Sequence, residues 1–223
     1  MKNSLRKKSF FRWIVYSLIG ISLSYCHADI ETGNNKEVNA NAAEVTSFPV
    51  KRRRNTLANW KMFEVNHEVI ITPPGWTAQL SAPNLTLVPP DNTDKNERLI
   101  FTRLTKDSPD FDYDKLGQNL ANLAFKDFVM AHGDTLKKVE FQKDFCYERN
   151  SALSKNGVDY TGYFLVYIND SSIYEFNIVL VSKRINSYRG SLMKDIIGNI
   201  QINNKYISSE ENPLKNVVYI KEE

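Results

Sequence analysis

Cysteine is scarce in this sequence: Cys26 and Cys146 are the only two among 223 residues. Cys26 lies in a segment read below as a leader, so Cys146 is left alone in the folded part and an internal disulfide is excluded. The fold has to stand on packing alone. Histidine is as sparse, with three in the chain. Past the leader, His67 and His132 have no second His or Cys at metal-ligand spacing, which argues against a zinc site. Glycine, at nine residues, forms no phosphate-cradling loop, no dinucleotide fingerprint and no Gly-x-Ser-x-Gly elbow. No catalytic set, metal site or cofactor is expected from these absences.

Charge of one sign is also missing once the chain is divided. The formal net charge is +3, but Lys2, Arg6, Lys7, Lys8 and Arg12 all precede the first acid, Asp29. Without those five cations the remainder stands at about −2. A near-neutral domain has no general attraction for phosphate backbones, so nucleic acid is not an expected partner.

What is present begins with an address. Residues 1–28 read as a signal peptide: a basic start, an apolar run over residues 13–25 and a short polar exit. The apolar run is shorter than the about 20 residues a permanent span needs. Export is therefore expected, to a periplasm or to the surface of a membrane. Two cuts compete. Leu23-Ser24-Tyr25-Cys26 resembles a lipobox, which makes Cys26 the lipid-attachment residue, although Tyr25 is larger than the small residue usual there. Cys26-His27-Ala28 instead offers small residues before a cut after Ala28, which releases a soluble protein.

Residues 29–59 are rich in Asn, Glu, Thr, Ala and Lys and read as a linker. Within it Lys51-Arg52-Arg53-Arg54 is either a solvated run or a contact for anionic headgroups or a protease. One domain is expected over residues 60–205, followed by a polar tail, 206–223, with a candidate edge strand at Val217-Val218-Tyr219-Ile220.

Inside the domain, His67, Val69 and Ile71 alternate with Glu68, Ile70 and Thr72. Pro73-Pro74-Gly75 then forces a bend, read as a hairpin-like reversal with Trp76 planted behind it. Short strands follow at residues 85–88 and 97–104. Over residues 114–132 the period changes to 3.6: Leu116, Leu120, Leu123, Ala124, Phe128 and Ala131 share a face, Asp112 or Asp114 can cap the start, and Gly133 fits the end. Gly117 in mid-helix costs about 1 kcal/mol against alanine and points to close packing.

Three long strands are expected at 137–149, 158–168 and 173–182, the last two joined by Asn169-Asp170-Ser171-Ser172 as an antiparallel hairpin. Phe164, Val166 and Ile168 lie on one face of the middle strand and Tyr163, Leu165 and Tyr167 on the other. Both faces therefore require cover or a binding partner. A second helix is expected over 187–200, with Tyr188, Leu192, Ile196, Ile197 and Ile200 at helical spacing.

Val69-Ile70-Ile71-Thr72-Pro73-Pro74-Gly75-Trp76 and Ile196-Ile197-Gly198-Asn199-Ile200, with this order of elements, resemble the PsbP-like family of small exported proteins over about residues 65–202. The resemblance implies an α+β fold, a central antiparallel sheet flanked by two main helices in an α/β/α sandwich. It also implies a non-catalytic accessory or assembly role, often as a lipoprotein, and no binding residue of the family can be matched here.

The function expected is thus an exported binding module, lipid-anchored or soluble, whose partner is a protein or a small ligand met through one sheet face and its rim. The alternative is a secreted hydrolase using paired carboxylates, drawn from Asp107, Asp110, Asp112 and Asp114 with Glu140 or Glu148. Such an enzyme needs two carboxylates converging in a cleft, about 5 to 10 Å apart for glycoside hydrolysis. The same four aspartates could suggest a calcium loop, but helix capping and a solvated turn explain them, because the central glycine and closing glutamate are missing. Tyr147, Tyr160, Tyr163, Tyr167, Tyr174 and Phe176 could line a groove, though core packing is the expected use. Cys146 is expected as a buried apolar residue.

Overall fold

The computed structural model describes residues 36–38, 57, 59–91, 94–130, 135–188 and 191–220, all within the compact unit Asn34–Glu223. In chain order the strands before the first helix are β1 (Lys36–Val38), β2 (Lys61–Val65), β3 (Glu68–Thr72), β4 (Thr77–Ser81), β5 (Asn84–Val88) and β6 (Arg98–Thr105). Helix α1 (Tyr113–Leu123) leads to β7 (Val129–Met130), β8 (Thr135–Phe141), β9 (Phe145–Lys155), β10 (Val158–Ile168) and β11 (Ser172–Val181). Helices α2 (Ser182–Ser187) and α3 (Leu192–Ile197) precede β12 (Gln201–Ile202), β13 (Lys205–Tyr206) and β14 (Leu214–Ile220).

The strands form two antiparallel sheets. The larger runs β1-β14-β8-β9-β10-β11-β6-β5-β4, with β7 also on β9, and the smaller runs β13-β12-β3-β2. Three of the reversals are two-residue turns in which both central residues have positive φ: Asn66-His67, Asn156-Gly157 and Asn203-Asn204. That geometry matches the twist of antiparallel strands, and Asn or Gly adopts it at the least steric cost. The β10–β11 hairpin forms as expected, with Ile168 opposite Ile173.

The fold class expected from the sequence is corrected here. Strands dominate, and among the described residues there are three short helices rather than two main helices flanking one sheet. The helix expected over 114–132 stops at Leu123. The guanidinium of buried Arg149 donates to the carbonyls of Ala121 and Asn122, each at 3.1 Å, and Phe125 turns to φ 66°. Of the helix expected over 187–200 only α3 forms, and α2 lies before it and ends at Ser187; Ser187 and Ser191 donate their hydroxyls back to the carbonyls of Arg184 and Tyr188 and so compete with helix continuation. The first long strand is likewise two, β8 and β9, with a turn between Phe141 and Phe145.

The Pro73-Pro74-Gly75 bend is not a hairpin. It carries the chain from β3 in the small sheet to β4 in the large one, where β4 pairs with β5. Gly75 takes φ 87°, and Trp76 is buried in the core between the sheets. At the far end of the large sheet, β14 lies between β8 and β1.

Both faces of the large sheet are apolar at β10. Tyr163, Leu165 and Tyr167 join Tyr174, Phe176, Ile178 and Leu180 in a core that also takes in Phe63 and Ile70 of the small sheet and Leu192, Ile196 and Ile197 of α3. Phe164, Val166 and Ile168 face the other way, into a core roofed by α1. Gly117 lets that helix descend: a Cβ there would lie 2.8 Å from Ile168 Cδ1 and Tyr147 Cδ2.

Candidate functional site

Several residues marked in the sequence fall outside the described residues: Cys26, the run Lys51-Arg52-Arg53-Arg54, His132 and Gly133. Cys146 is fully buried, and burial first, then the charge of Glu148, pushes its thiol well above the usual range. It therefore has no nucleophilic character at neutral pH. His67 sits exposed in the β2–β3 turn instead of alternating with core positions, and Glu68 beside it is the buried residue.

The acidic cluster does not gather into one site. Asp112 caps α1, accepting from Lys115 N at 2.9 Å. Asp114 accepts from Tyr147 Oη at 3.1 Å and pairs with Lys138 Nζ at 2.6 Å, and Glu140 Oε1 lies 3.8 Å from the same ammonium. Asp114 and Glu140 thus meet only across a lysine, on the α1 side of the sheet. Glu148 stands opposite Leu165 and so on the other face. The six aromatics are buried and divided in the same way, Tyr147 and Tyr160 under α1 and Tyr163, Tyr167, Tyr174 and Phe176 between the sheets.

The residues that do assemble lie on the α1 side of the large sheet, beyond the reach of α1. That helix packs on β9 and β10, and the neighbouring strands keep half-exposed side chains there. Cross-strand register puts Ser81 opposite Asn84, Asn84 opposite Thr102 and Thr102 opposite Glu175. Directly opposed residues share a face, so these four form a polar row across β4, β5, β6 and β11. A second row, Gln79, Thr86, Ile100 and Asn177, runs beside it. Thr102 Oγ1 donates to Asn84 Oδ1 at 2.8 Å. Glu175 is half-buried, burial pushes its carboxyl above the usual range, and no hydrogen bond or ion pair reaches it among the described residues. The row ends at β4, exposed at every residue. Sequence reading missed this group; its one signal is that Glu175 and Asn177 interrupt an otherwise apolar strand.

A second polar group lies between the sheets. Glu68, 1 % exposed, accepts from Arg103 Nη1 at 3.2 Å. Burial raises its carboxyl above the ordinary range despite the opposing charge of Arg103. The Arg103 guanidinium lies over the Tyr174 ring, 5.7 Å from its centroid, and that ring lies 6.1 Å from Tyr167. Tyr167 in turn donates to Asp144 at 2.6 Å, and Asn212 donates to the same carboxylate at 3.0 Å.

No family model matches the chain, and no curated protein matches it. Among solved structures there is a weak PsbP-like match. Cyanobacterial PsbP from Synechocystis is similar with a TM-score of 0.44 and 13 % identity, over 68 % of this chain and 97 % of that one. LpqN of Mycobacterium tuberculosis, a protein involved in cell envelope biogenesis, matches with a TM-score of 0.37 and 16 % identity, over 78 % and 88 % of the two chains.

Proposed function

We propose that this chain is an exported, non-catalytic binding module that meets its partner through the open rows of β11, β6, β5 and β4. The observation that carries this reading is Glu175, a half-buried carboxylate without a charge partner among the described residues, set in a surface of hydroxyls and amides. A carboxylate kept in such a place favours a partner that brings an ammonium, a guanidinium or N–H donors to it. The hydrolase alternative is disfavoured because Lys138 occupies the space between Asp114 and Glu140 that a water or a scissile oxygen needs.

The test compares wild type with Glu175→Lys and Thr86→Lys by in vivo cross-linking in intact envelopes, with circular dichroism as a check on folding. A cross-linked species present in wild type and lost in both variants is the expected result. Retention of that species in both overturns the reading. Export and anchoring rest on residues 1–28 and are tested by mass spectrometry of the purified N-terminus. A diacylglyceryl group on Cys26 is the anchored form, a free Asp29 the soluble one. A cytoplasmic product that still begins at Met1 rules out both.

A further inference from the structure

The polar group between the sheets is incomplete as it stands. Glu68 Oε2 and Tyr174 Oη are both buried, and neither has a hydrogen-bond partner among the described residues. Native interiors leave few such atoms, and each calls for an explanation, an ordered water or a bound partner among them. The two are linked through Arg103, which binds the other Glu68 oxygen and lies over the Tyr174 ring. Arg103 is also the member in reach of water, its side chain being 34 % exposed against 1 % for Glu68. A guanidinium has five N–H donors, and among the described residues only one nitrogen of this one is engaged, by Glu68. Three needs therefore gather around Arg103: an acceptor for its remaining donors, a donor for Glu68 Oε2 and a partner for the hydroxyl of Tyr174, whose ring centroid lies 5.7 Å from the guanidinium.

We infer that the polar group Glu68, Arg103 and Tyr174, which reaches water at Arg103, binds a small molecule in which a carboxylate adjoins a hydrogen-bond donor, an amino acid or a hydroxy acid. The carboxylate takes the free N–H donors of Arg103, in the geometry that suits a guanidinium. The adjoining ammonium or hydroxyl donates to Glu68 Oε2, and Tyr174 Oη closes the ring of hydrogen bonds. Glu68 has a double role, holding Arg103 by one oxygen and reading the ligand with the other. Entry is past Arg103, and the site lies on the opposite side of the large sheet from Glu175.

The experiment titrates the purified protein with glycine, glycolate and acetate and follows the assigned Arg103 Nε–H signal by NMR. Glycine and glycolate separate the amino-acid source from the hydroxy-acid source, and acetate lacks the donor. At least one of the first two is expected to give a saturable shift, with acetate about tenfold weaker for want of a hydrogen bond to a charged group. Tyr174→Phe is expected to weaken the same titration about tenfold while leaving the melting temperature of the free protein unchanged or higher, since the hydroxyl has no partner to lose. Two results overturn the inference. One is the absence of a saturable shift with glycine and glycolate, and the other is a lowered melting temperature for free Tyr174→Phe, the mark of a hydroxyl held by a resident water.

Discussion

The two faces of the large sheet differ in how they are covered, although their strands share one alternating pattern. The face that meets the small sheet is sealed along β11, where Tyr174, Phe176, Ile178 and Leu180 are all 0 % exposed, and reaches water at Arg103 of β6. On the other face α1 packs on β9 and β10, and along β11 Ile173 and Val179 are buried while Glu175 and Asn177 between them stay half-exposed. Period-two alternation thus decides which residues share a face, but the non-local elements decide what that face is used for. Burial of apolar area is what stabilises a fold, so the sealed face is expected to contribute more than the open rows.

The sharpest way to break this contrast is to remove one large side chain from each face. Phe176→Ala, in the sealed core, is expected to lose about 4 kcal/mol of unfolding free energy, from lost transfer energy and the cavity left behind. Ile100→Ala, half-buried in the open row, is expected to lose about 1 kcal/mol, because a site open to water keeps no sealed cavity. Urea denaturation measures both. Equal losses would mean that the open face is covered after all.

A smaller effect tests the roof. Gly117→Ala brings a methyl to within 2.8 Å of Ile168 and Tyr147. Alanine returns about 1 kcal/mol of helix preference, while overpacking costs about 1 to 3 kcal/mol. A net loss of about 1 kcal/mol is expected, with weaker amide protection in α1 by hydrogen exchange. A net gain would show that α1 rides higher over the sheet than the geometry says.

Legibility followed the same division between local and non-local. The β10–β11 hairpin, its two apolar faces and the Asp112 cap were readable, because each rests on residues close together in the chain; the tight seat of Gly117 was announced by a glycine in mid-helix, although Ile168 and Tyr147, which make it, are distant in sequence. The turn at Asn156-Gly157 was missed, although Asn-Gly between strands is a strong hairpin signal. The bend at Pro73-Pro74-Gly75 shows the limit: its residues announce a reversal but not that the chain changes sheet, since the partners of β3 and β4 lie elsewhere in the sequence. Helix ends were misplaced for a similar reason, as Arg149 acts from 28 residues away on the carbonyl of Ala121. The candidate sites were the least visible. Glu68 and Arg103 are 35 residues apart, and the polar row takes one residue from each of four strands.

The smallest expected effect bears on the open face directly. Glu175 has its carboxyl raised by burial, so the folded protein holds that proton more tightly than the unfolded chain does, and ionisation opposes folding. The stability this group contributes is full below the unfolded carboxylate range, near 4.5, and is lost as pH rises through the higher folded value. Glu68 is raised as well and acts with the same sign from the sealed side. Glu175→Gln is therefore expected to flatten part of the decline in stability with rising pH and to leave the part due to Glu68. At neutral pH the variant should be slightly more stable than wild type, by less than either change above, while losing the cross-linked partner. Denaturation midpoints from pH 4 to 8 measure the slope; an unchanged slope would mean that Glu175 is as well solvated as a carboxylate on an ordinary surface, and the open row would then have no reason to hold a charge for a partner.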